Sequence, residues 1–95
     1  MHINWTDQAI RDLEHIRRYY VAQGSPDAAT NMGAAIIAAA EAIGEMPLRG
    51  KAGRIEGTRE LPIPRTPFII AYRPSQPRPV ILAVIHGARM WPESL

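Results

Sequence analysis

The stretch RELPIPRTPFIIAYRPSQPRPVILAVIHGAR, Arg59 to Arg89, decides how this chain folds. Within it, Phe68-Ile69-Ile70-Ala71-Tyr72 and Val80-Ile81-Leu82-Ala83-Val84-Ile85 are short apolar runs rich in β-branched residues. That is the pattern of strands buried on both faces. Pro62, Pro64 and Pro67 frame the strand ends, and Pro74, Pro77 and Pro79 punctuate the turn between the two runs. Proline cannot donate to a central ladder, so it collects at such boundaries. The expected strands are 59–63, 68–73 and 80–86, joined as an antiparallel meander. His86, Arg89 and Trp91 come at the end of the last run or just after it, so a rigid sheet carries a His/Arg/aromatic cluster at one edge.

Upstream, the periodicity changes from two to 3.6. His2-Ile3-Asn4-Trp5 alternates as a half-buried strand does. Thr6 is a good N-cap, Asp7 suits a first turn, and Trp5 and Ile10 are spaced for a hydrophobic staple. Ala9, Leu13, Ile16 and Tyr20 then share one stripe of a first helix. Asp7, Arg11, Glu14 and Arg18 lie opposite, spaced for Asp7–Arg11 and Glu14–Arg18 pairs. Gly24 ends this helix, and Ser25-Pro26-Asp27 opens a second that runs to about Glu45, closed by Gly44 and Pro47. So short a connection predicts an antiparallel helical hairpin.

The core stripe of the second helix reads Ala28, Met32, Ala35, Ile36, Ala39 and Ile43. Beside it, Gly33, Ile37, Ala40 and Gly44 form a second face that is small and apolar. It reads either as plain helix-favouring alanine or as a surface where a partner approaches closely. Residues 47–57 read as a basic connecting loop, whose glycines lack the spacing of a phosphate-binding loop. The expected fold is α+β, ordered β-α-α-β-β-β, with the helical hairpin covering one face of a small, mainly antiparallel sheet. A single domain is expected to span residues 1–95.

Composition narrows the chemistry. With 95 residues, 46% of them apolar, the chain buries a small core. It has no cysteine, which excludes disulfides, cysteine zinc sites and thiol nucleophiles. No run of roughly 18 apolar residues and no secretory signal is legible, so a cytoplasmic protein without membrane partners is expected. The net charge of +2 is unevenly spread: residues 1–48 balance at −3 and residues 49–95 at +5, and ten of the eleven basic residues are arginine. These arginines read either as solvated side chains or as a basic face for nucleic acid or an acidic protein segment. His2 and His15 read as surface groups, and no His/Asp/Glu spacing suggests a metal; no cofactor is expected. Ser25 and Ser75 are accounted for by a cap and a turn. Trp91 reads either as a closure of the sheet end or as an anchor for a partner.

Several strings stand in a distinctive order: Trp5 before helix one, Tyr19-Tyr20 near its end, Ala28-Ala29 early in helix two, and Pro47-x-x-Gly50 after it. Arg59-Glu60-Leu61, Pro67-Phe68-Ile69-Ile70-Ala71-Tyr72 and the 80–86 strand with Arg89 complete the series. In this order the chain resembles, over nearly its full length, the ParE branch of the ParE/RelE toxin superfamily, the plasmid-stabilisation toxins. The resemblance implies a type II toxin silenced by a ParD-like antitoxin whose C-terminal segment wraps it. ParE-like members are associated with DNA gyrase, and RelE-like members with cleavage of ribosome-bound mRNA.

Cutting RNA through its 2′-hydroxyl needs a base, an acid and cations around the phosphate. His86, Arg89, Arg59 and Glu60 are the residues that would supply them. Against this, Ile69 stands where a RelE-like enzyme carries a basic residue, and Trp91 stands where such an enzyme tends to place Tyr or His. The expectation is therefore a non-enzymatic toxin, most plainly a gyrase inhibitor without direct sequence-specific DNA binding. The alternatives are a RelE-like ribosome-dependent endoribonuclease, and a toxin fold that has lost toxicity and only pairs with its antitoxin. Arg65, Arg73, His86, Arg89 and Trp91 are the expected target contacts. Gly33, Ile37, Ala40, Arg59 and Arg78 are the expected contacts for an acidic, amphipathic antitoxin segment.

Overall fold

A computed structural model describes residues 3–88 and Trp91. Strand β1 (Asn4–Trp5) leads into helices α1 (Asp7–Ala22) and α2 (Pro26–Glu45). Strands β2 (Lys51–Ala52), β3 (Arg59–Pro62), β4 (Phe68–Arg73) and β5 (Val80–His86) follow. They make a five-stranded sheet in the order β1-β5-β4-β3-β2. All pairings are antiparallel except β1 with β5, which is parallel. The α+β hairpin-on-sheet expectation holds, and the three C-terminal strands lie where their apolar runs put them.

Strand β2 was not legible in the sequence. Its two exposed residues carry no periodicity, and they become a strand only by pairing with Arg59 and Glu60 of β3.

The helix ends follow their local chemistry. Thr6 stays extended at ψ 162° and accepts the Ala9 N–H on its hydroxyl at 3.0 Å. Gly24 takes a φ of +79°, the left-handed turn that lets the chain reverse directly into α2. Ser25 holds the next N-cap position without a side-chain hydrogen bond, while Pro26 stands first in the helix.

The core lies between the helices and one face of the sheet. Ile36 and Ile43 from α2 meet Ile70, Tyr72 and Ile81, all fully buried, with Ala9 and Ile16 closing from α1. Phe68, Ile70 and Tyr72 alternate along β4 and point to this side, whereas Ile69, Ala71 and Arg73 face away.

On the surface of α1, the expected Glu14–Arg18 pair is replaced by Glu14–Arg17 at 3.8 Å, and Arg11 donates to Gln8 at 3.2 Å. Such exposed pairs differ by tenths of a kcal/mol, so spacing alone does not select among them.

Of the second face expected on α2, Gly33 and Ala40 turn out to be buried, which leaves Ile37 and half-buried Gly44 at the surface. Ala40 is 1% exposed within the core, and Gly33 is buried beneath the Arg17 guanidinium. At 100° per residue the buried arc is turned by about 60° from the expected stripe, toward the small residues. The cause is that α2 is covered on two sides, by the sheet and by α1, and small side chains are what let α1 come close. Ile37 remains on the margin, 38% exposed.

Where β1 stops, α1 takes over as partner of β5. Ladder contacts with β1 end at Ile81, and the register slips between Ala71/Tyr72 and β5, so Leu82 is an extra residue. The Thr6 hydroxyl donates to the Leu82 carbonyl at 3.0 Å, and the Asp12 carboxylate accepts the Val84 N–H at 3.0 Å. Asp12→Ala removes that acceptor and is expected to lower stability by about 1–3 kcal/mol. Urea unfolding would register this as a lower midpoint at unchanged slope, and an unshifted midpoint would contradict the role.

Candidate functional site

The groups named for function fall in three places on the sheet. At one end, where β4 begins and β5 finishes, His86 stands opposite Phe68 and packs against its ring edge-on at 5.6 Å. His86 Nδ1 accepts the Ala88 N–H at 3.1 Å, so the imidazole closes its own strand end. Arg65 sits exposed in the neighbouring β3–β4 turn, whose Pro67 carbonyl accepts the Gly87 N–H at 2.7 Å.

The opposite end is a clamp on the loop after α2. The buried Tyr72 hydroxyl donates to the Pro47 carbonyl at 2.7 Å and accepts the Gly50 N–H at 2.9 Å. Arg59, opposite Tyr72 in the ladder, donates from Nη1 to the Gly50 carbonyl at 2.6 Å and reaches the Leu48 carbonyl at 3.4 Å. Arg59 is therefore turned toward its own chain, with its guanidinium on two loop carbonyls.

The third place is the sheet face turned away from the helices. Glu60, opposite Ala71, is only 2% exposed. Its Oε2 accepts the Arg54 N–H at 2.8 Å and lies 3.5 Å from the Arg54 Nε, which answers the buried charge. The Arg54 guanidinium in turn covers Trp91, 3.9 Å from the ring centroid. Trp91 thus closes over the sheet through Arg54, and its indole Nε1 is buried without an acceptor among the described residues. Arg73 lies on this same face against Gly57, and Arg78 is exposed in the β4–β5 turn.

Of the four groups that RNA cleavage would need, the three among the described residues, Glu60, His86 and Arg59, do not meet. Glu60 and His86 lie on opposite faces, and their ladder partners Ala71 and Phe68 are three residues apart, about 10 Å along β4. Arg59 shares the face of His86 but sits one residue further along, about 13 Å away, and is held by loop carbonyls. Arg89 lies outside the described residues. Of the expected target contacts among the described residues, Arg65 and His86 lie at the same end of the sheet, while Arg73 and Trp91 belong to the far face. Among the described residues no cluster of His, Asp or Glu is placed to hold a metal, and no helix is long and apolar enough to cross a membrane.

Sequence reasoning missed Asp12, Arg54 and the clamp role of Tyr72. Asp12 carried a signal, since it sits about 40° from Ile16, beside the apolar stripe of α1. Tyr72 carried a weaker one, a single hydroxyl in an apolar strand. Nothing local pointed to Arg54.

Comparison with known proteins agrees with this architecture. The profile of the family described as "ParE toxin of type II toxin-antitoxin system, parDE" matches residues 3–91. The toxin candidate Y4kP of Sinorhizobium fredii is 42% identical over 93 residues, covering 98% of this chain and 95% of that protein. A solved chain of the chromosomal ParDE toxin–antitoxin system from P. aeruginosa superimposes with a TM-score of 0.82 at 25% identity, covering 90% of this chain and 95% of that one.

Proposed function

Since the chain belongs to the ParE toxin family of type II toxin–antitoxin systems, we propose that it poisons by binding DNA gyrase and not by cutting RNA. The observation that carries this reading is the dispersal of the candidate cleavage groups, with His86 and Glu60 on opposite faces of the sheet. General acid–base chemistry needs its groups within hydrogen-bond reach of one substrate. Glu60 and Arg59 are instead committed to contacts within the chain.

The test compares DNA supercoiling by purified gyrase with cleavage of mRNA on translating ribosomes. Inhibition of supercoiling without cleavage is expected, and codon-spaced mRNA cuts would sink the reading. His86→Gln is expected to leave growth arrest within about threefold, against the roughly 10²–10⁴-fold loss that removal of a general acid or base brings.

A parDE toxin has an antitoxin partner. Here that partner is a ParD-like protein with an acidic, amphipathic C-terminal segment. It crosses the helical hairpin at Ile37 and continues along the Arg-rich half toward Arg78. The half-exposed Ile37 and the +5 balance of residues 49–95 support this path. Buried Gly33 and Ala40 act within the hairpin, not on the partner. Ile37→Asp is expected to weaken the complex by about tenfold, as loss of one apolar contact of about 1.4 kcal/mol does. Calorimetric titration that finds no change would remove Ile37 from the interface. The same reading puts the pair in the cytoplasm, with a plasmid-stabilising role and no sequence-specific DNA binding by this chain.

A further inference from the structure

The turn between β3 and β4 holds an arginine where glycine is the least costly residue. Pro64 and Arg65 are its central residues, the Thr66 N–H closes it on the Ile63 carbonyl at 3.2 Å, and Arg65 has a φ of 62°. Proline followed by a positive φ is the type II arrangement, which favours glycine or asparagine at the second central position. A long side chain there is strained.

The surrounding bonds keep the turn from relaxing. The Ile63 N–H donates to the Phe68 carbonyl at 3.0 Å. The Thr66 hydroxyl donates to the Ile63 carbonyl at 2.9 Å and accepts the Phe68 N–H at 3.1 Å. The Pro67 carbonyl takes the Gly87 N–H at 2.7 Å, tying the turn to the end of β5. Arg65 is exposed on this stem, with no ion pair or hydrogen bond from its guanidinium among the described residues. The chain therefore carries backbone strain at a cation that no group among the described residues engages.

We infer that Arg65 is a pre-set anchor that grips a carboxylate on the toxin's protein target. The inference rests on the reading that this toxin acts by binding. A phosphate backbone is gripped by several cations along one face. In the chain Arg65 is flanked by exposed Pro64 and Pro67, and the Pro67–Gly87 bond sets its turn at the sheet end that carries half-buried His86. A rim of this kind fits one guanidinium desolvated against a protein, where arginine is a frequent hot spot.

Arg65→Asn tests this because asparagine tolerates the same φ without the cation. The variant is expected to melt at the wild-type temperature or up to about 4 °C higher. Its antitoxin complex should be unchanged. Growth arrest without antitoxin should be lost, and gyrase inhibition should need roughly 30-fold more protein, as loss of an interface anchor entails. Arg65→Lys, which keeps the charge and loses the planar fork, should fall between.

Wild-type toxicity in Arg65→Asn overturns the proposal, as does a melting point several degrees lower, which would make Arg65 a folding residue. Arg65-dependent binding of the isolated toxin to a duplex DNA fragment would make the ligand a phosphate and overturn it too. If the wild-type chain leaves gyrase untouched while Arg65→Asn abolishes growth arrest, the gyrase reading fails and the Arg65 anchor stands. If both chains inhibit gyrase equally, the reverse holds. A wild-type chain that arrests no growth removes both.

Discussion

Tyr72→Ala is expected to cost the isolated toxin about 4–8 kcal/mol, a large share of its stability. Tyr72 is fully buried at the centre of the core, and truncating a large aromatic there costs about 3–5 kcal/mol. Its hydroxyl also serves two backbone groups of the loop after α2, the Pro47 carbonyl and the Gly50 N–H. Leaving those unpaired adds about 1–3 kcal/mol. A chain of this length has roughly 5–14 kcal/mol in all, so the loss takes a large share of it. Tyr72→Phe isolates the hydroxyl and should cost only the second part. The measurement belongs on the toxin alone, because a tight antitoxin would restore stability by mass action. A Tyr72→Phe variant as stable as wild type would mean that water replaces the hydroxyl at no cost.

Gly50→Ala is the second large effect. A Cβ at Gly50 would stand 2.8 Å from the Glu60 carbonyl oxygen, 2.8 Å from the Tyr72 hydroxyl and 2.9 Å from the Tyr72 ring. Neither neighbour yields readily: one is backbone in a paired strand, and the other is a buried ring fixed by two hydrogen bonds. Overpacking of this kind costs about 3 kcal/mol. Because both changes act on one contact, their effects should not add. Gly50→Ala combined with Tyr72→Phe should lose less than the two single losses together, since removing the hydroxyl relieves part of the overlap. Additive losses in thermal unfolding would show that the clash lies with the Glu60 carbonyl and the Tyr72 ring rather than with the hydroxyl. Either variant also loosens the attachment of β2 and of the exposed Met46 and Leu48 beside it.

The extended strands were legible because their apolar runs exceed what a loop tolerates and proline marks their limits. The helical hairpin was legible from its caps, Thr6 and Ser25-Pro26, and from the glycine at the reversal. The site was less legible. Arg59 and Glu60 are adjacent in sequence, and strand alternation sends them to opposite faces, one into a loop clamp and the other under Arg54. Their residue types suggested chemistry, but which groups they meet depends on segments 6 to 11 residues away.

Local sequence by itself determined the kinds of elements, their order and most of their ends, because caps, turns and periodicity act over a few neighbouring residues. Tertiary structure alone decided that the small face of α2 points inward, that Asp12 completes the edge of β5, and that an arginine occupies a strained turn tip. Each of these depends on which surfaces meet across the fold, and a surface is known to be covered only when its partner is in place.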